Sequence, residues 1–297
     1  QPDLESRTSL NSQTLERLGD WETEMKTTKL NIAVGIAMGA TIGMTALIDS
    51  ADAAIRETKH NLGSTAPTGT DNRNNKTTTG GGTGEICVFC HTPHAANIAF
   101  TGAPLWNKGT SFAGTYTMYD SPTLDADNSG QPSGVSIACL TCHDGQQAID
   151  NMINAPGSGN YNATGTSQGY TWEAGSTLAS DGKLAATAVT NIGTDLSNDH
   201  PIGIQYAGGL ATGTNWLDNT SYADKGMNVV STSNSTTFWV STDGNATRDK
   251  ADMILYAYTA NEPMVECGSC HDPHTDNNLF LRVQNTGSAV CLACHDK

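Results

Sequence analysis

Residues 87–94 read Cys87-Val88-Phe89-Cys90-His91-Thr92-Pro93-His94, and the chain repeats the core of this stretch three more times. Cys139-Leu140-Thr141-Cys142-His143, Cys267-Gly268-Ser269-Cys270-His271 and Cys291-Leu292-Ala293-Cys294-His295 share the C-x-x-C-H spacing. Together the four segments use all 8 cysteines. This spacing marks covalent attachment of c-type haem. Two thiols add to the two vinyl groups on one porphyrin edge, and the next residue turns its imidazole beneath the iron. Disulfides are the alternative in an exported chain, and zinc sites built from four cysteines are another. Both leave the four following histidines unexplained. The reading is four covalently bound haem c groups, each with its iron.

The remaining histidines decide the coordination. Of the 8 histidines, four follow the cysteine pairs, leaving His60, His94, His200 and His274. Four spare imidazoles match four open axial positions, so every iron is expected to be six-coordinate with two histidines. Methionine is the competing ligand and would raise the potential. His94 and His274 each stand three residues after a haem-binding histidine, in CVFCHTPH and CGSCHDPH. Neither can reach the far face of its own haem, so each is expected on a packed neighbour. Sequence proximity assigns His94 to the haem of Cys139, Cys142 and His143, and His274 to the haem of Cys291, Cys294 and His295. His200 and His60 are then left for the haems held at His91 and His271.

The composition demands such a group. Leu, Ile, Val and Phe supply 48 of 297 residues, about 16%, and the formal net charge is −15. A chain this poor in apolar surface ordinarily cannot offset its conformational entropy. Four flat, apolar porphyrins resolve the paradox by serving as the core. The expected fold is therefore mostly coil with short helices and few strands, wrapped around a stack of four c-type haems, as in a multihaem cytochrome. Short helices are expected at 139–153 and 250–258, and short strands at 236–240 and 228–230. The acidic balance excludes nucleic acid, whose phosphates need clustered Lys and Arg.

The N-terminal part reads as a leader. Met25-Lys26-Thr27-Thr28-Lys29 precedes an uncharged run from Leu30 to Ile48 and the small residues Ser50-Ala51-Asp52-Ala53. This is the pattern of a secretory signal peptide cleaved after Ala53. An uncleaved anchor is the rival reading, since the run is nearly long enough to span a bilayer. Residues 1–24 are expected to be an upstream extension, 25–53 the signal peptide, and 54–297 a single tetrahaem domain with no membrane attachment after cleavage. Asn-x-Ser/Thr sequons occur at Asn75, Asn162, Asn219, Asn234 and Asn245, as on an exported, glycosylated surface.

Several elements together resemble the extracellular tetrahaem c-type cytochromes that polymerise into conductive filaments, the OmcE-type nanowire subunits. They are His60-Asn61-Leu62-Gly63, GEICVFCHTPH from Gly84 to His94, Ala103-Pro104-Leu105-Trp106-Asn107, CLTCHDG from Cys139 to Gly145, Asp199-His200-Pro201-Ile202-Gly203, and the closing CGSCHDPH and CLACHDK. The resemblance implies a coil-rich fold around a continuous haem stack, export to the cell surface, and electron transfer to external acceptors. It also implies a head-to-tail polymer of identical copies in which a histidine of one subunit ligates a haem of the next. His60, close to the mature N-terminus, is the residue the resemblance suggests for that role.

An alternative is a monomeric periplasmic shuttle with other redox partners. A multihaem reductase is disfavoured, because eight histidines for eight axial sites leave no iron open to substrate. The sequence also lacks GxSxG, HExxH and Walker motifs, so no catalytic set is expected.

Overall fold

The computed structural model describes residues 55–66, 76–109, 115–124, 130–157, 160–208 and 226–296. The leader reading and the sequons at Asn75 and Asn219 lie outside these residues, whereas Asn162, Asn234 and Asn245 lie on exposed positions. Residues Ala54–Lys297 form one compact unit. Most of it is coil, turn and strand, with a few short helices. No helix of the described residues is long and apolar enough to cross a membrane.

The longest helix among the described residues, α1, spans Gly134–His143 and buries Ser136, Ala138, Leu140 and Thr141. It begins on Gly134, whose φ of +48° suits glycine, and a Cβ there would sit 2.1 Å from the Tyr258 hydroxyl. It ends before Gly145, whose left-handed φ of +68° stops the helix in the usual glycine manner. The helix expected over 139–153 therefore starts earlier and stops at His143, and Asn151–Asn154 is instead the strand β1. β1 pairs antiparallel with β2, Tyr161–Ser167.

The second sheet has five antiparallel strands. They are β3 (Ile204–Gln205), β4 (Ser231–Asn234), β5 (Thr237–Val240), β6 (Met253–Ala257) and β7 (Pro263–Val265), in the order β3-β7-β6-β5-β4. The strand expected at 236–240 is β5. The segment expected as a helix over 250–258 is β6, because Met253, Ile254, Leu255 and Tyr256 are spaced to pair with Val240, Trp239, Phe238 and Thr237. Cross-strand burial overrides local helix propensity there. Residues 228–230 lie just before β4 rather than in a strand of their own.

Apolar side chains gather in several small clusters rather than one core. One joins Tyr206, Val230, Phe238, Val240, Met253, Leu255 and Val265 to Ala293. Another joins Leu62, Phe89, Ile149, Met152 and Leu184, with Cys90 and Cys142 packed on it. Phe100 and Ala103 pack on Ala138, and Tyr116 and Leu196 on Leu140. Each cluster thus contains at least one residue from inside or beside a C-x-x-C-H segment. Two further short helices, α2 (Cys267–Cys270) and α3 (Ala289–Leu292), carry the third segment and the start of the fourth.

Candidate haem-binding centre

The four C-x-x-C-H segments are wound alike. The N–H of His91 donates to the Cys87 carbonyl at 2.7 Å, that of His271 to Cys267 at 3.1 Å, and that of His295 to Cys291 at 3.0 Å. In the second segment the same spacing is part of α1. One helical turn brings residues i and i+3 onto one face, so each pair of thiols points to the same side. All eight thiols are unpaired.

Backbone carbonyls fix the imidazole tautomers. Nδ1 of His91 donates to the Pro104 carbonyl at 2.8 Å, Nδ1 of His143 to Thr190 at 2.9 Å, and Nδ1 of His271 to Leu279 at 2.9 Å. A carbonyl only accepts, so the proton sits on Nδ1 and the Nε2 lone pair is left for a metal. Desolvation pushes the pKa of His91 and His143 down. His60 is pushed down to about 4, by burial first and by His143 second. These imidazoles are neutral at pH 7, the protonation state that ligates a metal.

The first and third segments close in the same way. After His91 the chain returns so that Thr92 N–H meets the Leu105 carbonyl and Asn107 N–H meets that of Cys90, both at 2.8 Å. After His271, Asp272 N–H meets the Phe280 carbonyl at 2.8 Å and Arg282 N–H meets that of Cys270 at 2.9 Å. Leu105 and Phe280 both take positive φ, 56° and 57°, which turns the preceding carbonyl toward the imidazole. The repeat was not legible in the sequence because the two return loops differ in length and share few residues.

Two histidine pairs face each other at a separation with chemical meaning. The ring centres of His91 and His274 are 6.1 Å apart with planes at 18°. Those of His60 and His143 are 6.3 Å apart with planes at 67°. With metal–nitrogen bonds of about 2.0 Å and roughly 1.1 Å more to each ring centre, imidazoles on opposite faces of one iron have centres about 6.2 Å apart. Both pairs therefore fit a bis-imidazole iron. His274 is oriented by Asp272, 3.4 Å from its Nδ1, a carboxylate–histidine arrangement common behind metal ligands. That contact holds Asp272 down at about 2. His60 stacks on Phe280 at 4.1 Å.

These placements correct the assignments made from spacing. His274 stands opposite His91, and His60, not His94, faces His143. Sequence distance misled because the third segment folds back onto the first. His60 lies against a haem-binding histidine of its own chain. His94 and His200 are exposed, with no ring opposite either among the described residues. Asp272 and the carbonyls of Pro104, Thr190 and Leu279 carried no motif signal, since any residue can offer a carbonyl.

The thiols also approach one another from segment to segment. Cys139 lies beside Cys267, which pushes the Cys139 thiol up. Burial, then the neighbouring Cys142, pushes Cys90 up to about 12. Burial, then Cys270, does the same to Cys294, again to about 12. Glu266 locks the second and third segments together. Its buried carboxylate accepts from Ser133 Oγ at 3.0 Å and from Ser136 Oγ, while Ser136 Oγ accepts the Cys267 N–H at 2.9 Å. Burial raises Glu266 to about 7 despite these two donors.

Residues 261–297 match the family model described as the doubled CXXCH motif. No curated protein matches the chain. The matched motif is the attachment motif of covalently bound haem c, and over these residues the chain is similar to multihaem c-type cytochromes. The residues present fit that group: reduced thiol pairs on one helical face, Nδ1-anchored imidazoles, and two imidazole pairs at a one-iron separation.

Proposed function

We propose that this chain holds four haem c groups and carries electrons along them, as the subunit of an extracellular filament that delivers electrons to external acceptors. The observation that carries the electron-transfer reading is the paired imidazoles, His91 with His274 and His60 with His143. Haem c supplies a one-electron iron couple at each site. The protein's part is placement. Thiols of Cys87, Cys90, Cys139, Cys142, Cys267, Cys270, Cys291 and Cys294 tether the porphyrin edges. His91, His143, His271 and His295 would each hold one haem iron, and His60, His94, His200 and His274 would supply the second imidazoles. Two imidazoles per iron exclude substrate and solvent from the metal, so the role is transfer rather than catalysis.

The thiol contacts support an ordered run of haems. Cys90 lies near Cys142, Cys139 near Cys267, and Cys270 near Cys291 and Cys294. Thioethers at these positions would tether haems close to one another along the chain. Export to the cell surface follows from the leader pattern and the haem-attachment chemistry. In the filament reading, the exposed His94 or His200 takes over the bridging role first given to His60. A head-to-tail contact of that kind is heterologous and gives an open helix when its rotation does not close. The rival reading, a periplasmic shuttle, keeps all four distal ligands within one chain.

Mass spectrometry and electron microscopy of the secreted protein test these readings together. Four haem masses on the denatured chain and long polymers are expected. Fewer haems would overturn the tetrahaem reading, and uniform monomers with four haems would favour the shuttle.

A further inference from the structure

Lys108 sits directly behind the first haem-attachment turn. Its neighbour Asn107 is sewn into that turn: the Asn107 N–H donates to the Cys90 carbonyl at 2.8 Å and its side-chain amide to Val88 at 2.7 Å and Asn154 at 3.0 Å. On the other side, a Cβ on Gly109 would lie 2.1 Å from the Thr164 carbonyl, so the chain is pressed against β2. The Lys108 side chain is fully buried, at 0% exposure. Its Nζ donates to the carbonyl of Ile149.

A buried ammonium is costly unless a carboxylate partners it. Lys108 has no ion pair among the described residues. Asp150, next to its carbonyl acceptor, spends its oxygens on Ser167 Oγ and the Tyr170 N–H, both at 2.9 Å. Lys108 is sealed behind the turn, yet its charge acts on the Cys90 thiol, lowering a pKa that burial raises.

We propose that Lys108 sets the reduction potential of the haem attached at Cys87 and Cys90, as an uncompensated buried cation that disfavours its ferric state. The inference rests on the tetrahaem reading above. Ferric haem carries one more positive charge than ferrous, so a fixed nearby cation shifts the couple toward reduction. Charge and burial are recognised levers on haem potential. Because Lys108 is shielded from solvent, added salt screens the effect only weakly. The first haem would then be the electron-accepting end of the set.

The test is an EPR-monitored potentiometric titration of the full-length haem-loaded protein, comparing wild type with Lys108→Met, Lys108→Gln and Lys108→Arg. Haem content by mass checks the underlying reading separately. A wild-type chain lacking haem at Cys87 and Cys90 would overturn that reading rather than the role of Lys108. The expected result for Met and Gln is four retained haems and one couple shifted about tenfold toward the oxidised form, 59 mV for one electron. Arg keeps the wild-type value. Unmoved potentials in a four-haem Met or Gln variant would overturn the proposal. So would an equal shift in Arg, or loss of haem from both neutral variants, since either makes Lys108 a packing residue.

Discussion

His91 and His274 stand face to face, ring centres 6.1 Å apart and planes within 18° of parallel, although they belong to the first and third attachment segments. His60 and His143 keep the same spacing at a steep 67°. The orientation of two axial imidazole planes governs the anisotropy of a low-spin ferric signal. The oxidised protein should therefore show at least two low-spin EPR classes. One is rhombic, from the near-parallel pair, and one is highly anisotropic, from the tilted pair. A single rhombic class accounting for all haems would contradict this geometry.

Replacing His60 with Ala removes the ring opposite His143 and the stack on Phe280. The expected outcome is loss of the highly anisotropic signal, a new high-spin ferric haem, and four haems still attached. Because His60 faces its own chain, polymers should persist in electron micrographs. Their disappearance would return the bridging role to His60.

Leu140 lies between Cys139 and Cys142 and is 0% exposed, packed on Tyr116 and Leu196. Leu140→Ala leaves a cavity beneath α1 and should cost about 2–5 kcal/mol. Chemical denaturation of the haem-loaded protein measures this directly. A loss below about 1 kcal/mol would mean that the porphyrin, not this cluster, holds the helix.

Glu266 predicts a pH dependence. Its pKa is raised from 4.5 to about 7 on folding. Between those values the folded chain binds more protons than the unfolded chain, so stability falls as pH rises through the window and levels off above it. The change is on the order of 3 kcal/mol at most. Thermal unfolding from pH 4 to 8 should show this decline in wild type, with a smaller slope in Glu266→Gln. Identical slopes would remove Glu266 as the cause.

Much of the chemistry was legible in the residues alone. The cysteine spacing names the cofactor class because two thiols and one imidazole have to meet a porphyrin within one turn. The scarcity of Leu, Ile, Val and Phe signals a coil-rich chain with small clusters, because entropy leaves little else for such a composition. β6 was misread as helix because Met253-Ile254-Leu255-Tyr256 carries no alternation, and only its pairing with β5 decides its state.

Which imidazole meets which could not be read in the same way. Pairing of His274 with His91 depends on the third segment folding back onto the first, and the spacing within HxPH fixes only what a histidine cannot reach. Likewise, Lys108 looks like any surface lysine until Asn107, Gly109 and β2 enclose it. Spacing along the chain determines covalent attachment because that chemistry is local. Axial partners and buried charges are contacts between distant segments, and only the tertiary structure brings those segments together.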